Sequence, residues 1–439
     1  MRHLPSLFLL AASVAGFAGP ARAQSVTRLT VDQTVQEALR VNDQLRAARA
    51  RADAAGDSAR SVRGQLLPVL SAGEQWQHYT EPFVINLSGQ PGQGVTVRNI
   101  NSNTLTVSAN QPILGLVRLG YGFSSANRSA DASQSDAQAV AANVTEQVQT
   151  TYLRLFEAQA QEGVARASVE QLQKQVQDAE ARFRAGTITN ADLLRFKTAA
   201  ANARQQEIQA HTDGLIARQA LLTYLGRNPE DPSIEFVEPE DLERHGAEPV
   251  SHPVDTLINR SLAQRPEVLR AQQQAEAARD NDRAQFAALL PEVNLQASYA
   301  WTRGQLFYPE NSFFVGILVN WPFWTWGTTF YAAKSAERQA DAAEALSQDT
   351  RRQAAYEVSS RYVQLQAQFV AVEVAETAIK GAEEAYRVTD AQVRVGTGTT
   401  TDLLDAQSAL TTARLNLERA RYERAVARVA LDIASAAGH

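Results

Sequence analysis

The 439-residue chain contains no cysteine, and its one methionine is the initiator. Disulfide staples and a lipid-anchored cysteine are therefore excluded, and a relay of soft sulfur ligands for a metal has nothing to be built from. The six histidines (His3, His78, His211, His245, His252 and His439) form no HExxH or comparable arrangement. His245 and His252, in an acidic stretch, read as exposed loop residues. There is no glycine-rich phosphate loop and no nucleophile elbow. No enzyme, no cofactor and no metal site is expected. Aromatics make up only 7% of the chain. Beyond the N-terminus no stretch approaches 18 consecutive apolar residues, so a helical membrane span is not expected, and any membrane contact must be made by strands.

The N-terminal "MRHLPSLFLLAASVAGFAGPARAQ" has a basic start, an apolar core and an Ala-Arg-Ala close. It reads as a cleavable secretory signal over residues 1–23. Its removal takes away Arg2 and Arg22, turning 42 basic and 48 acidic residues into 40 and 48, a net charge of −8. An acidic exported chain of this kind is not expected to bind nucleic acid.

What is present is a duplication. "GTITNADLLRFK" (186–197) returns 210 positions later as "GTGTTTDLLDAQ" (396–407), with Gly186, Asp192, Leu193 and Leu194 on Gly396, Asp402, Leu403 and Leu404. "ANRSADA" (126–132) falls on "AERQADA" by the same shift. Upstream the shift is 223, which places Leu66-Leu67-Pro68 on Leu289-Leu290-Pro291. The extra residues of the first copy are assigned to a longer loop around "EPFVINLSGQPGQGV".

The expected organisation is a first repeat over 24–230, a Pro-rich acidic connector over 231–253, and a second repeat over 254–439. Each repeat reads as helix, two strands, long helix, Gly/Thr break and shorter helix. The strands are expected at 69–80 and 102–111, then 292–303 and 311–323. The long helices are expected at 116–185 and 326–394, followed by helices at 190–225 and 400–436.

The long helices carry a seven-residue repeat: Val358, Leu365, Val372, Ile379, Tyr386 and Val393, echoed by Val148, Leu155, Glu162, Val169, Val176 and Phe183. Such a series predicts coiled-coil packing, broken only by Glu162. Seventy helical residues extend roughly 100 Å, more than a globular core uses. The strands instead alternate. In "EVNLQASYAWT" Val293, Leu295, Ala297, Tyr299 and Trp301 share one face, and in "NSFFVGILVNWPFW" Phe313, Val315, Ile317, Val319 and Trp321 do. The first strand is weaker because Glu74 falls in line with Leu70, Ala72 and Trp76.

Alternation by itself fits a soluble sandwich as well as an outer-membrane barrel. The placement of Trp76, Trp301, Trp321, Trp324 and Trp326 in or just after the strands favours an interfacial aromatic girdle and contact with outer-membrane lipid. Four strands cannot close a barrel, and open edges are not tolerated in lipid, so a homotrimer with a twelve-stranded barrel is expected, with four copies as the next option.

The duplicated layout, the "LLP" strand entries, "AQRPEVLRAQQQAEAARD" (263–280) and the breaks "RAGTITNADLL" and "RVGTGTTTDLLDAQ" together resemble the TolC family of trimeric outer-membrane efflux and secretion channels. The resemblance covers nearly all of residues 28–436. It implies a mainly α protein with a membrane β-barrel portion, the barrel continuing into a periplasmic tunnel of long coiled-coil helices that is docked by an adaptor protein and an inner-membrane pump. It also implies that the Gly/Thr breaks, with Gly186, Gly396 and Gly398, are helix turns at the periplasmic tip.

Asp402 and Asp405 match a pair of aspartates lining the constriction, where six carboxylates in a trimer would favour cations. Asp192 matches a residue that helps hold the tip shut. Val393 and Gly398 stand where that family has a tyrosine and an arginine bonding across the tip. Arg195, at the repeat position of Asp405, is placed to pair with Asp402 or Asp405 between neighbouring helix pairs, a latch in place of that tyrosine and arginine. For the aspartates, helix capping, a pore ring and a latch remain compatible readings. The competing reading of the whole chain is an exported trimeric coiled-coil stalk or adhesin without a through-pore.

Overall fold

The computed structural model describes residues 27–86 and 94–436. The signal reading of residues 1–23 and the tip of the long loop lie outside the described residues. In chain order the elements are β1 (Thr27–Leu29), α1 (Val31–Val41), α2 (Asp43–Gly64), β2 (Val69–His78), β3 (Phe83–Asn86), β4 (Gly94–Pro112), α3 (Gly115–Arg184) and α4 (Asn190–Tyr224). There follow β5 (Ile234–Phe236), α5 (Glu240–Ala247), α6 (Val254–Gln264), α7 (Pro266–Ala287), β6 (Glu292–Gln305), β7 (Asn311–Asn320), α8 (Thr328–Arg394) and α9 (Thr400–Ala434).

The first helix of each repeat is broken in two, where the sequence reading had one. Asn42 ends α1 with extended backbone and caps α2, its side chain accepting from the Leu45 amide at 3.0 Å. Arg265 breaks the second copy in the same way, and Pro266 opens α7, where its missing N–H costs nothing.

The four expected strands pair in the order β2-β4-β6-β7, all antiparallel, and a fifth, β3, pairs with the upper part of β4. Their register assembles one apolar face. Leu70, Ala109, Ala297 and Val315 form one cross-strand row, and Ala72, Val107, Tyr299 and Phe313 the next. The opposite face carries the row Ser71, Ser108, Ser298 and Phe314, with the Ser71 and Ser108 hydroxyls 2.7 Å apart. Glu74 sits on the apolar face, where it accepts from Asn103 Nδ2 at 2.9 Å. The sheet does not close within one chain, and β2 and β7 are its edges.

Below the sheet, α3 is 70 residues long, about 105 Å at 1.5 Å per residue. Its heptad residues Val148, Leu155 and Val169 are buried, as are Val358, Leu365 and Val372 in α8. Glu162 breaks the series because it accepts from Arg166 and stands 3.3 Å from His211 Nδ1 on α4. In the second repeat that layer is apolar, with Val372 packed against Leu417. Midway down, β1 pairs in parallel with β5, and the buried Tyr152 hydroxyl contacts the carbonyls of Leu29 and Val237 that follow or end these strands. Burial pushes its phenol up to about 12.

Candidate functional site at the helical tip and the aromatic rims

Each long helix ends at the tip in the same way. After Arg184, Gly186 takes φ +72°, its amide donating to the Phe183 carbonyl at 2.9 Å and that of Thr187 to Arg182 at 2.9 Å. After Arg394, Gly396 takes φ +80°, with Gly396 to Val393 at 3.3 Å and Thr397 to Gln392 at 2.9 Å. This is the paired bonding that closes a helix around a left-handed residue, for which glycine carries no Cβ penalty. Gly398 has a different constraint: a Cβ there would lie 3.0 Å from Val393 Cγ2 and 3.1 Å from the Val393 nitrogen.

Capping boxes start the return helices. Thr189 Oγ1 donates to Asp192 Oδ2 at 2.7 Å and accepts from the Asp192 amide at 3.1 Å; Thr399 and Asp402 repeat this at 2.7 and 3.2 Å. These bonds hold both carboxyls below the usual aspartate range. For Asp402 the Thr399 hydroxyl contributes most and its amide next. For Asp192 the Thr189 hydroxyl leads, and Arg195 and the Thr400 hydroxyl add smaller effects. Asp405, by contrast, is exposed, with no hydrogen-bond or ion-pair partner among the described residues.

Arg195 does cross to the other helix pair, but within the chain it meets neither Asp402 nor Asp405. Its Nη1 donates to Thr401 Oγ1 at 2.7 Å and lies 3.8 Å from Asp192 Oδ1. The hydroxyl of Thr401 stands at the surface of α9 one turn nearer the tip than Asp405, so the guanidinium is satisfied before it reaches a carboxylate. Together with Asp192 and Thr400, this contact joins the start of α4 to the start of α9.

Two further tip contacts escaped the sequence reading. Val393 belongs to an apolar cluster with Ala179, Leu193, Phe196 and Leu403. The Tyr386 hydroxyl accepts from Gln175 Nε2 at 3.2 Å and from Gln171, tying α8 to α3. Tyr386 was visible as a heptad position; its polar partners lie more than 200 residues away in sequence and left no local signal.

The tryptophans form two rows rather than one. Trp76 and Trp301 lie near the β2–β3 and β6–β7 end of the sheet, Trp301 in the same cross-strand row as Asn311. Trp321, Trp324 and Trp326 follow β7 at the opposite end, all exposed. The ten residue steps from 311 to 321 span about 33 Å along a strand. At the 35–45° tilt of barrel strands this is roughly 25 Å of height, the apolar band of an outer-membrane barrel. Arg303 lies over the Trp301 ring, 4.3 Å from its centroid.

No described helix is long and apolar enough to cross a membrane, and no described cluster of His, Asp or Glu has metal-binding form. Comparison with known proteins agrees with this geometry of an open sheet on long helices. The outer membrane efflux protein family matches twice, over residues 34–227 and 257–437, once in each repeat. The chain is 25% identical over 398 residues to outer membrane protein TolC of Vibrio cholerae, covering 87% of this chain and 84% of that protein. It is 25% identical over 374 residues to the alkaline protease secretion protein AprF of Pseudomonas aeruginosa, covering 82% and 75%. The solved structure of the outer membrane protein VceC from Vibrio cholerae superposes with a TM-score of 0.79 at 20% identity, covering 92% and 95%. With the family spanning both halves of the chain, this protein belongs to the outer membrane efflux protein family.

Proposed function

We propose that three copies of this chain form one channel that carries substrates handed over by an inner-membrane pump and its adaptor across the outer membrane. The observation that carries this reading is the sheet: one apolar face interrupted by the Glu74–Asn103 pair, tryptophans at both rims, and two unpaired edges. β2 and β7 run in opposite directions, so β7 of one copy can pair antiparallel with β2 of the next. Four strands from each of three copies give twelve, an even number in the range of closed outer-membrane barrels. The serine-lined face then borders water, and the long helices continue the barrel as a tunnel.

At the far end the tip is held closed. Arg195 and Asp192 join α4 to α9, and the Val393 cluster and the Tyr386 hydroxyl join α8 to α3. In this reading Asp402 and Asp405 face the lumen from each of three subunits, making a cation-favouring ring. Asp402 has a second duty as a cap, which leaves Asp405 as the carboxylate free to meet ions.

The pore-less stalk finds no support, because the family is one of efflux proteins and a stalk has no use for an amphipathic sheet with open edges. Single-channel recording of the purified trimer in planar bilayers tests the channel reading. A low closed-state conductance that rises when the tip contacts are removed is expected. A trimer that never conducts, even with those contacts deleted, overturns it.

A further inference from the structure

The duplication of the chain also specifies how one copy meets the next, because each repeat shows the other what it lacks. α7 packs on both α3 and α8, whereas its counterpart α2 packs on α3 alone. By the repeat correspondence the missing neighbour of α2 is an α8, and the α8 of the same chain already packs on α7. Lower down, α9 packs extensively on α3, whereas its counterpart α4 has no comparable packing on α8 above the tip cluster.

Burial marks the same faces. Asp280 on α7 is 4% exposed, while its equivalent Asp57 on α2 is exposed and, among the described residues, meets only Arg60 of its own helix, at 2.7 Å. Leu153 on α3 is 0% exposed and its equivalent on α8, Val363, is 63%. Ala425 on α9 is 1% exposed and its equivalent on α4, Leu215, is 48%. Residues that are core in one repeat are bare in the other, and the bare ones lie on α2, α4 and α8.

Their chemistry is complementary. Within the chain, Asp280 accepts from Ser124 at 2.6 Å and Arg128 at 3.0 Å, and Arg128 also binds Glu276. The equivalents of Ser124 and Arg128 are Lys334 and Arg338, and those of Asp280 and Glu276 are Asp57 and Asp53. Two cations on α8 thus correspond to two acids on α2, and in the single chain Lys334 and Asp57 meet, among the described residues, only helix neighbours, Glu337 at 2.8 Å and Arg60 at 2.7 Å. One turn and more below, the in-chain pair Asp136–Arg270 becomes Leu346 and Ala47, which accounts for a leucine left 68% exposed on α8.

We infer that α8 of one copy docks along α2 and α4 of the next, with Lys334 and Arg338 on Asp53 and Asp57, Leu346 on Ala47, and the Val363–Val370 stripe over Ile208 and Leu215. The inference rests on the channel reading for its ring, but names the contacts that reading leaves open. The seam between copies is more apolar below its ionic top than the seam inside the chain, where Ser168 and Thr411 hydroxyls stand 3.2 Å apart; their equivalents are Ala378 and Ala201.

A chain without cysteine makes the test clean. Ala47→Cys with Leu346→Cys, oxidised with copper phenanthroline, is expected to give a covalent trimer. Asp136→Cys with Arg270→Cys, at the equivalent in-chain positions, is expected to close within one chain. Trimers that form and conduct while the 47/346 pair stays uncrosslinked and the 136/270 pair closes overturn the docking and leave the channel reading standing. Absence of any trimer or conductance in the unmodified protein overturns the channel reading itself, and with it the ring on which the docking depends. As a second readout, Lys334→Glu with Arg338→Glu is expected to lower trimer yield roughly tenfold, with recovery on adding Asp53→Lys and Asp57→Lys. Loss of yield without recovery counts against the ionic pairing.

Discussion

Arg195 on α4 donates to the Thr401 hydroxyl on α9 at 2.7 Å, crossing between the two helix hairpins at the tip. A charged donor on a neutral acceptor is worth about 1–3 kcal/mol when shielded, and less where, as here, the arginine is exposed. Arg195→Ala is expected to raise single-channel conductance, and adding Tyr386→Phe, which removes the acceptor for Gln175, to raise it further. Equal conductance in wild type and double variant would mean the tip is closed by other contacts.

The two acidic candidates separate by their partners. Asp405→Asn removes a charge that no described residue engages, so reduced cation preference with unchanged thermal stability is expected. Asp402→Ala breaks a capping box and is expected to lower the stability of the start of α9 as well. Reversal potentials in a salt gradient and thermal melts distinguish them; identical selectivity in wild type and the 402/405 double variant would leave the pair as caps alone.

The caps also set a pH response. Asp192 and Asp402 are held below their ordinary range in the folded protein, chiefly by the threonine hydroxyls. Their contribution is therefore fully present above the unfolded value, about 4, and is lost as pH falls through the lower folded values. Amide protection at the first turns of α4 and α9, taken relative to the intrinsic exchange rate at each pH, should hold at neutral pH and fall only in acid below about pH 4. Loss of protection near pH 6 would point to another group.

The glycines of the turns differ in kind. Gly396→Ala forces a left-handed residue and is expected to cost about 1–2 kcal/mol. At Gly398 the backbone is unremarkable and the limit is the approach of Val393, so Gly398→Ala is expected to displace Val393 and loosen the tip, raising conductance. A melt of each variant against wild type, with conductance alongside, checks both.

The sequence made the long elements legible because periodicity survives over many residues. A heptad series predicted helix 116–185, close to the observed Gly115–Arg184, and alternation located the paired stretches of β2, β4, β6 and β7. Asn42, a favoured N-cap residue, and Pro266, a favoured first helical residue, both mark these breaks locally, but neither interrupts the helical period around it. β1, β3 and β5, at three or four residues each, are too short to show a period. At the tip, glycines and caps were read from the repeated phrase, since each is a local bond. Thr401 as the partner of Arg195, and the role of Glu162 beside His211, depend on which helices the fold brings together, which no local pattern states.

In the proposed channel the two tryptophan rows, about 25 Å apart across the sheet, would act as a fixed ruler. A transmembrane helix in too thick a bilayer can tilt, but a barrel rooted in some 100 Å of rigid tunnel has little freedom to do so. The membrane must therefore fit the protein: lipid around this channel is expected to thin to the spacing of the tryptophans, and bilayers of short-chain lipid should take it up most readily.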